Sequence, residues 1–135
     1  MFSVFLGGFD THADQLATQA DLFAKLSQAM SAFYEATREL GVSGRVTTYT
    51  DTEFNRTMAP NRTHGTDHAW GGHHLVMGGS IRGGDIHGQM PSLELNGRDD
   101  AGMRGVWIPT TSAHDYQSRF AQRFGLPGAT SSLVV

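Results

Sequence analysis

Cysteine is absent from the 135-residue chain, and this absence excludes several kinds of site. Disulfide bonds, thiolate metal sites and cysteine nucleophiles are ruled out, while the redox compartment stays undetermined. Positive charge is also scarce, because 10 lysines and arginines stand against 13 acidic residues and give a formal net charge of -3. The chain therefore offers no basic field to attract a nucleic acid, and we expect none as a partner.

Long apolar runs are missing as well. No segment approaches the ~20 apolar residues that span a bilayer, and the N-terminus lacks the basic start and long apolar run of a signal peptide. We therefore expect a soluble, unexported protein that does not insert into a membrane. No internal repeat, charge block or linker divides the sequence, so residues 1–135 are predicted to form a single α/β domain.

Apolar and β-branched runs predict a mainly parallel sheet flanked by helices. Phe2–Leu6 has the pattern of a strand buried on both faces, and Arg45–Thr50 is rich in β-branched residues. A third strand is predicted at His74–Met77, ahead of a glycine-rich stretch that suits turns and short edge strands. The order strand, helix, strand predicts a parallel, right-handed first unit.

Two helices are predicted from the spacing of apolar residues. The first runs from about Thr11 to Leu40, where apolar side chains recur every three or four positions and Gly41 provides a stop. The second runs from Ala113 to Phe124, after Thr111 or Ser112 as N-cap, with Tyr116, Phe120 and Phe124 facing inward. The closing segment ATSSLVV is predicted to be frayed.

The segment HGTDHAWGGHH, from His64 to His74, places four histidines, an aspartate and three glycines in eleven residues. Each glycine costs about 0.5–1 kcal/mol relative to alanine in regular structure, so this segment is predicted to be a loop. Imidazole is a common metal ligand and the side chain that titrates near neutral pH. The composition of the loop therefore indicates metal binding or acid–base chemistry.

Polar clusters follow the predicted strands, and the loops after parallel strands emerge at one edge of a sheet. Asp10 and His12 follow the first strand, Glu53 follows the second, and Asp67 and His68 lie in the loop that enters the third. We expect at least three of these side chains to lie close enough to share a divalent ion, which could be zinc, manganese, magnesium or calcium. No other cofactor is predicted.

Each of these residues also has an ordinary structural explanation. Asp10 could cap a helix, His12 could be a solvated first-turn residue, and Glu53 could be a solvated loop carboxylate. Asp67 could form an Asx-type turn before a surface His68. The remaining histidines are interpreted as packing or incidental residues: His64, His73, His74, His87 and His114.

Four segments together resemble the bacterial family catalogued as domain of unknown function 1501. They are GGFDTHADQ, TEFNRT, GTDHAWGGHHLVMGGSIRGGDIHG and IPTTSAHDYQSRFAQRFGL. The resemblance implies a doubly wound sheet of the alkaline phosphatase and sulfatase type, and a family typically exported to the periplasm by the twin-arginine route. It also implies that the chain corresponds to the C-terminal portion of the family's fold and lacks an N-terminal segment.

The same resemblance assigns roles to individual residues. Asp10 and His12 resemble the pair that binds one metal ion, Glu53 stands where the second ion is usually bound, and His68 resembles the late histidine ligand. The superfamily's first metal-binding aspartate and its serine or threonine nucleophile would lie in the missing segment. Thr11 and Thr66 do not replace that nucleophile, because no base is placed to activate either of them. No catalytic residue is therefore assigned.

Three functions remain open at this point. The first is an uncharacterised alkaline phosphatase- or sulfatase-like protein with a divalent-metal site, weak or inactive alone. The second is a metal-dependent phosphate or sulfate ester hydrolase, and the third is a non-catalytic fragment or interaction module. Uncovered strand edges and apolar surface predict self-association, or pairing with the missing N-terminal segment.

Overall fold

A computed structural model describes residues 1–125 of the chain, with two helices and four short strands. The elements in chain order are α1 (Gln15–Glu39), a 3₁₀ turn (Ser43–Arg45), β1 (Thr47–Tyr49), β2 (Asn55–Arg56), β3 (His68–Ala69), β4 (Val76–Gly78) and α2 (Ala113–Arg123). Most of the remaining described chain forms loops and turns, so the loops rather than a large sheet position the polar side chains.

The predicted long helix is confirmed as α1, although it begins four residues later than expected. Asp14 adopts a left-handed backbone conformation with φ of 45° and interrupts the helix there. The backbone N–H groups of Asp14 and Gln15 donate to the carbonyl oxygens of Thr63 and His64, at 3.1 and 3.0 Å. The amides of the N-cap and of the first residue of α1, which have no partner within the helix, are thus bonded to Thr63 and to His64 at the start of the histidine-rich segment.

The predicted parallel sheet flanked by helices is wrong. β1 pairs antiparallel with β4, and β2 pairs antiparallel with β3, which gives two separate two-stranded sheets. The doubly wound sheet implied by the family resemblance is therefore not the architecture of this structure either. Parallel neighbours need a crossover between them, whereas these strands are joined across loops that return antiparallel.

The strand prediction failed most clearly at Phe2–Leu6, which forms no strand. Phe2, Val4 and Phe5 are 101, 98 and 92% exposed, so the apolar run has no layer packed against it. An apolar run indicates a tendency to be buried but does not identify the strand that would pair with it. The other two predictions were partly right, since β1 lies within Arg45–Thr50 and β4 overlaps His74–Met77.

The predicted second helix is confirmed as α2, with Ser112 as its N-cap. The Ser112 hydroxyl accepts a hydrogen bond from the Asp115 backbone N–H at 3.0 Å, which satisfies an amide of the first turn. Aromatic contacts join α2 to β1, because Phe120 stacks on Tyr49 with ring centroids 4.0 Å apart. Phe124 does not face inward and is 55% exposed. The predicted fraying of ATSSLVV lies outside the described residues.

The buried apolar core of residues 1–125 is small. Leu22, Ala69 and Trp107 are the hydrophobic residues that are buried, and none of the large side chains is completely enclosed. Most of the apolar side chains on α1 stay at least partly exposed. Neither helix in this part of the chain is both long enough and apolar enough to cross a membrane.

Candidate metal centre

Backbone pairing between two distant loops brings His12 and His68 together. Ala13 forms an isolated antiparallel bridge with His64, and the Thr66 N–H donates to the Thr11 carbonyl oxygen at 3.1 Å. These contacts align the segment before α1 with the histidine-rich loop, and His68 follows at the start of β3. The convergence therefore comes from loop pairing and not from the edge of a parallel sheet.

Asp10, His12 and His68 form one compact group of ligand atoms. The Nε2 atom of His12 lies 3.0 Å from Oδ1 of Asp10 and 3.1 Å from Nε2 of His68. The third side of the triangle, from His68 Nε2 to Asp10 Oδ1, is also 3.1 Å. The side chains of all three residues are about half exposed, so one face of the group is open to solvent.

The size and chemistry of this triangle suit a small divalent ion. Three atoms about 3 Å apart can all lie ~2.0–2.2 Å from an ion just above their plane, which is the usual distance from zinc to nitrogen and oxygen ligands. Two imidazole nitrogens and one carboxylate oxygen are also a donor set that zinc, iron and other transition metals accept. The three ligands leave further coordination positions open.

An arginine contacts the carboxylate of this group. The Arg56 guanidinium donates to Asp10 Oδ1 and to the Thr66 carbonyl oxygen, and its Nε donates to the Thr66 hydroxyl at 3.0 Å. Partial desolvation raises the pKa of Asp10, but the hydrogen bond from Arg56 and the nearby His12 lower it more, so the pKa lies below its ordinary value. Asp10 is consequently ionised at neutral pH, as a metal ligand would have to be.

The two histidines are held in different ways. His68 stacks face to face on Phe54, with ring centroids 4.0 Å apart and an angle of 11° between the rings. His12 presents its second nitrogen, Nδ1, to Oδ1 of Asp67 at 3.4 Å. An aromatic surface thus supports one imidazole, and a carboxylate faces the other.

Asp67 and Glu53 are not among the converging ligand atoms in the described part of the chain. Asp67 lies behind His12, where it accepts hydrogen bonds from Arg104 Nη1 at 2.6 Å and from Asn61 Nδ2 at 3.2 Å. These bonds lower the pKa of Asp67 to about 2. Glu53 is exposed in the loop before β2.

Thr11 and Thr66, the two hydroxyl residues nearest this group in sequence, are buried and already bonded. Both hydroxyls donate to Oε1 of Gln15, at 3.1 Å from Thr11 and 2.6 Å from Thr66. A catalytic nucleophile must be accessible and must face a base that takes its proton. The structure therefore gives neither threonine the surroundings of a nucleophile.

Sequence reasoning missed the residues that support the ligands. They are Phe54, Arg56, Asn61 and Arg104. Arg56 lies opposite His68 in the β2–β3 register, and no local sequence pattern predicts this pairing. Asn61 stands in a turn-forming stretch beside Pro60, where asparagine has an ordinary role in loops.

Comparison with known protein families gives one match. A family model described as "Protein of unknown function (DUF1501)" matches residues 1–103. The chain belongs to the DUF1501 family. No curated protein and no solved structure gives a significant match. The DUF1501 match includes Asp10, His12 and His68, so the candidate metal centre lies inside the family region.

Proposed function

We propose that this DUF1501 protein binds one divalent transition-metal ion through Asp10, His12 and His68. The observation that supports this proposal is the compact group itself, in which one ligand atom from each residue lies within 4.8 Å of the others. Two of the ligands lie before α1 and the third lies at β3, so the group exists only in the folded chain. A binding role follows from this geometry without any assumption about catalysis.

Zinc is the ion that this donor set favours within the range expected from the sequence. Magnesium and calcium prefer ligand sets made of oxygen atoms, whereas imidazole binds zinc and the later first-row metals well. Manganese is the second choice. It accepts mixed carboxylate and imidazole ligands, but it binds them less tightly than zinc. A zinc ion with three protein ligands lowers the pKa of a bound water to about 7.

Hydrolysis of phosphate or sulfate esters is the second candidate function, and it is the activity that a relationship to alkaline phosphatases and sulfatases would suggest. The open, solvent-facing side of the group favours it, because a substrate could reach an ion bound there. The bonded state of Thr11 and Thr66 argues against a side-chain nucleophile. We therefore expect hydrolysis by the chain alone to be weak or undetectable.

Zinc titration tests the binding proposal. The protein is purified without a histidine tag, stripped with a chelator and titrated against a chromophoric competitor. We expect one ion per chain, and we expect His68→Ala and Asp10→Asn to weaken binding at least tenfold. His114→Ala is the matched control, because it removes an exposed histidine from α2 and leaves the group intact. Equal affinity in all four proteins would overturn the proposal.

A hydrolysis assay separates binding from catalysis. Aryl phosphates and aryl sulfates are incubated with the wild-type protein and with His68→Ala, in the presence of zinc, manganese, magnesium or calcium. We expect no turnover above that of the variant. Each ~1.4 kcal/mol of lost transition-state stabilisation lowers the rate tenfold, so a modest loss is enough to make activity undetectable. Turnover that is lost in His68→Ala would make the hydrolase the first candidate.

A further inference from the structure

We propose that Asp67 is a positioning residue, which fixes the tautomer and ring orientation of His12 from behind instead of binding the ion itself. This inference rests on the proposed metal-binding function and deepens it. It concerns the far side of the His12 ring, away from Asp10 and His68.

The two ring nitrogens of His12 face opposite partners. Nε2 points into the ligand group, 3.0 Å from Asp10 Oδ1 and 3.1 Å from His68 Nε2. Nδ1 lies 3.4 Å from Asp67 Oδ1. A neutral imidazole carries one proton, and a carboxylate accepts a hydrogen bond but cannot donate one when ionised. An ion held by Asp10 and His68 would take the Nε2 lone pair of His12, and the single ring proton would then lie on Nδ1, where the Asp67 carboxylate accepts it and holds that tautomer.

The Asp67 carboxylate is itself held in place from two sides. Arg104 Nη1 donates to Oδ2 at 2.6 Å, and Asn61 Nδ2 donates to Oδ1 at 3.2 Å. Arg104 is anchored in turn by the Pro60 carbonyl oxygen, 3.3 Å from Nη2. Both partners donate hydrogen bonds, so the two carboxylate oxygens are held in place as acceptors.

Asn61 connects the backbone of His12 to the same arrangement. Its Nδ2 atom donates to the His12 carbonyl oxygen at 3.0 Å as well as to Asp67. The Thr63 hydroxyl also donates to the His12 carbonyl oxygen. One short segment, residues 61–67, therefore holds the main chain of His12 and supplies the Asp67 carboxylate that faces its ring. The ring consequently has little freedom to turn away from the ligand group.

His68 provides an internal comparison. In the described chain, no carboxylate lies within ion-pair distance of its Nδ1 atom, and its ring rests on Phe54. A partner behind a metal-binding histidine raises the basicity of the ligand and fixes its orientation, and its loss commonly lowers metal affinity 10- to 100-fold. His12 has such a partner and His68 does not, so the effect should be specific to His12.

Two variants that break the ion pair between Asp67 and Arg104 test this role. Asp67→Asn removes the charged partner of His12, whereas Arg104→Gln breaks the pair with Asp67 but leaves the Asp67 carboxylate facing His12. We expect Asp67→Asn to lower zinc affinity about 10- to 100-fold, and Arg104→Gln to have a clearly smaller effect. A purely structural ion pair would make the two losses equal, and that result would overturn the inference.

A measurement on the wild-type protein keeps the inference testable even if a variant fails to fold. Long-range proton–nitrogen NMR of zinc-loaded protein, with ¹⁵N-labelled histidine, reports which ring nitrogen carries the proton. We expect His12 to hold its proton on Nδ1 and to bind zinc through Nε2. Zinc bound through Nδ1, or a freely exchanging Nδ1 proton, would contradict the proposed role of Asp67.

The outcomes also separate this inference from the function on which it rests. If the wild-type protein binds no zinc, the metal-binding proposal is wrong and the role of Asp67 is wrong with it. If the wild-type protein binds zinc and Asp67→Asn binds it equally well, with the same His12 tautomer, metal binding stands and the positioning role alone is rejected.

Discussion

His12 and His68 are 56 positions apart in the sequence, yet their Nε2 atoms lie 3.1 Å apart. Backbone contacts between the two segments, and not a shared sheet, hold this distance. The Thr66 N–H donates to the Thr11 carbonyl oxygen, and the Gln15 N–H donates to the His64 carbonyl oxygen. The geometry of the candidate ligand group consequently depends on how closely these two backbones approach each other.

Gly65 lies at a close approach of these two backbones. A Cβ atom at Gly65 would lie 2.2 Å from the carbonyl carbon of His12 and 2.5 Å from the Ala13 nitrogen. Backbone atoms cannot move aside as a side chain can, so Gly65→Ala must push the two segments apart. We expect this substitution to lower the free energy of unfolding by about 1–3 kcal/mol and to weaken zinc binding at least tenfold.

Gly83→Ala is the matched control for that substitution. A Cβ atom at Gly83 would meet nothing within 4 Å, so the added methyl group should be neutral or stabilise the chain by up to about 1 kcal/mol. Urea unfolding and zinc titration of both variants make the comparison. Unchanged zinc affinity in Gly65→Ala would show that the approach of the two loops does not control the ligand group.

Arg56 connects the ligand Asp10 to the histidine-rich loop through Thr66. Its side chain is 14% exposed, so its bonds form in a largely desolvated place. Arg56→Met keeps the length of the side chain but removes the charge and the donors. We expect it to lower the free energy of unfolding by about 1–3 kcal/mol, because it leaves the Thr66 carbonyl oxygen without its donor, and to lower zinc affinity.

Arg38→Met is the control for Arg56→Met. Arg38 pairs with Glu35 on the exposed surface of α1, where both side chains are more than half exposed. Surface ion pairs of this kind contribute about 0–1 kcal/mol, and Arg38 is remote from the ligand group in sequence. Equal losses of stability in the two variants, measured by urea unfolding, would argue against a special role for Arg56.

His74 should make the stability of the chain depend on pH. Burial against α2 lowers the pKa of His74, which outweighs the opposite effect of the Asp51 carboxylate. The unfolded chain therefore takes up the proton first, near the ordinary pKa of about 6.5. The stability is greatest above that pH and falls as the pH drops below it, towards the lower pKa of the folded state.

His74→Phe isolates this contribution. The His74 ring stacks on Tyr116 with centroids 4.9 Å apart, and phenylalanine keeps an aromatic ring there without a titrating group. In the presence of a chelator, we expect the loss of stability between about pH 7.5 and pH 5.5 to be smaller in the variant than in the wild-type protein. His114→Ala should retain the wild-type dependence, and parallel curves for all three proteins would contradict this prediction.

Local patterns were sufficient to predict the helices. The spacing of apolar residues and the hydroxyl at Ser112 predicted α1 and α2 to within a few residues, because helix hydrogen bonds and caps involve near neighbours. The strands depended on partners far away in the sequence. β1 pairs with β4 across more than 25 positions, and no periodicity within Arg45–Thr50 specifies whether that partner is parallel or antiparallel.

The candidate site was predicted from the chemistry of its residues, and this part of the prediction did not depend on the predicted fold. Residue type and clustering drew attention to Asp10, His12 and His68, which the structure brings together. The expected cause, a common edge of a parallel sheet, was wrong, and Glu53 stands apart from the group. Asp67 was predicted as a ligand together with His68 because both lie in the histidine-rich loop beside Trp70 and two glycines, but no local pattern reveals that its carboxylate lies behind the ring of His12.

We also propose that the chain self-associates through Met1–Leu6. This segment contains two phenylalanines and a valine that are at least 92% exposed, and it has no charged side chain and no proline. An exposed apolar segment with high β-propensity readily pairs with another chain, and each strand of the two short sheets has an unpaired edge in the described structure. Sedimentation velocity at tens of micromolar should therefore show concentration-dependent association.

The double substitution Phe2→Ser and Phe5→Ser tests whether this segment drives the association. We expect it to shift the sedimentation profile towards the monomer, because it removes the two exposed aromatic side chains of this segment. Ile86→Ser is the control, since Ile86 is 70% exposed but lies alone in the glycine-rich stretch. Its profile should match the wild-type profile. A wild-type protein that stays monomeric at these concentrations would refute the proposal, and association that survives the double substitution would assign it to a different surface, such as the exposed apolar side chains of α1.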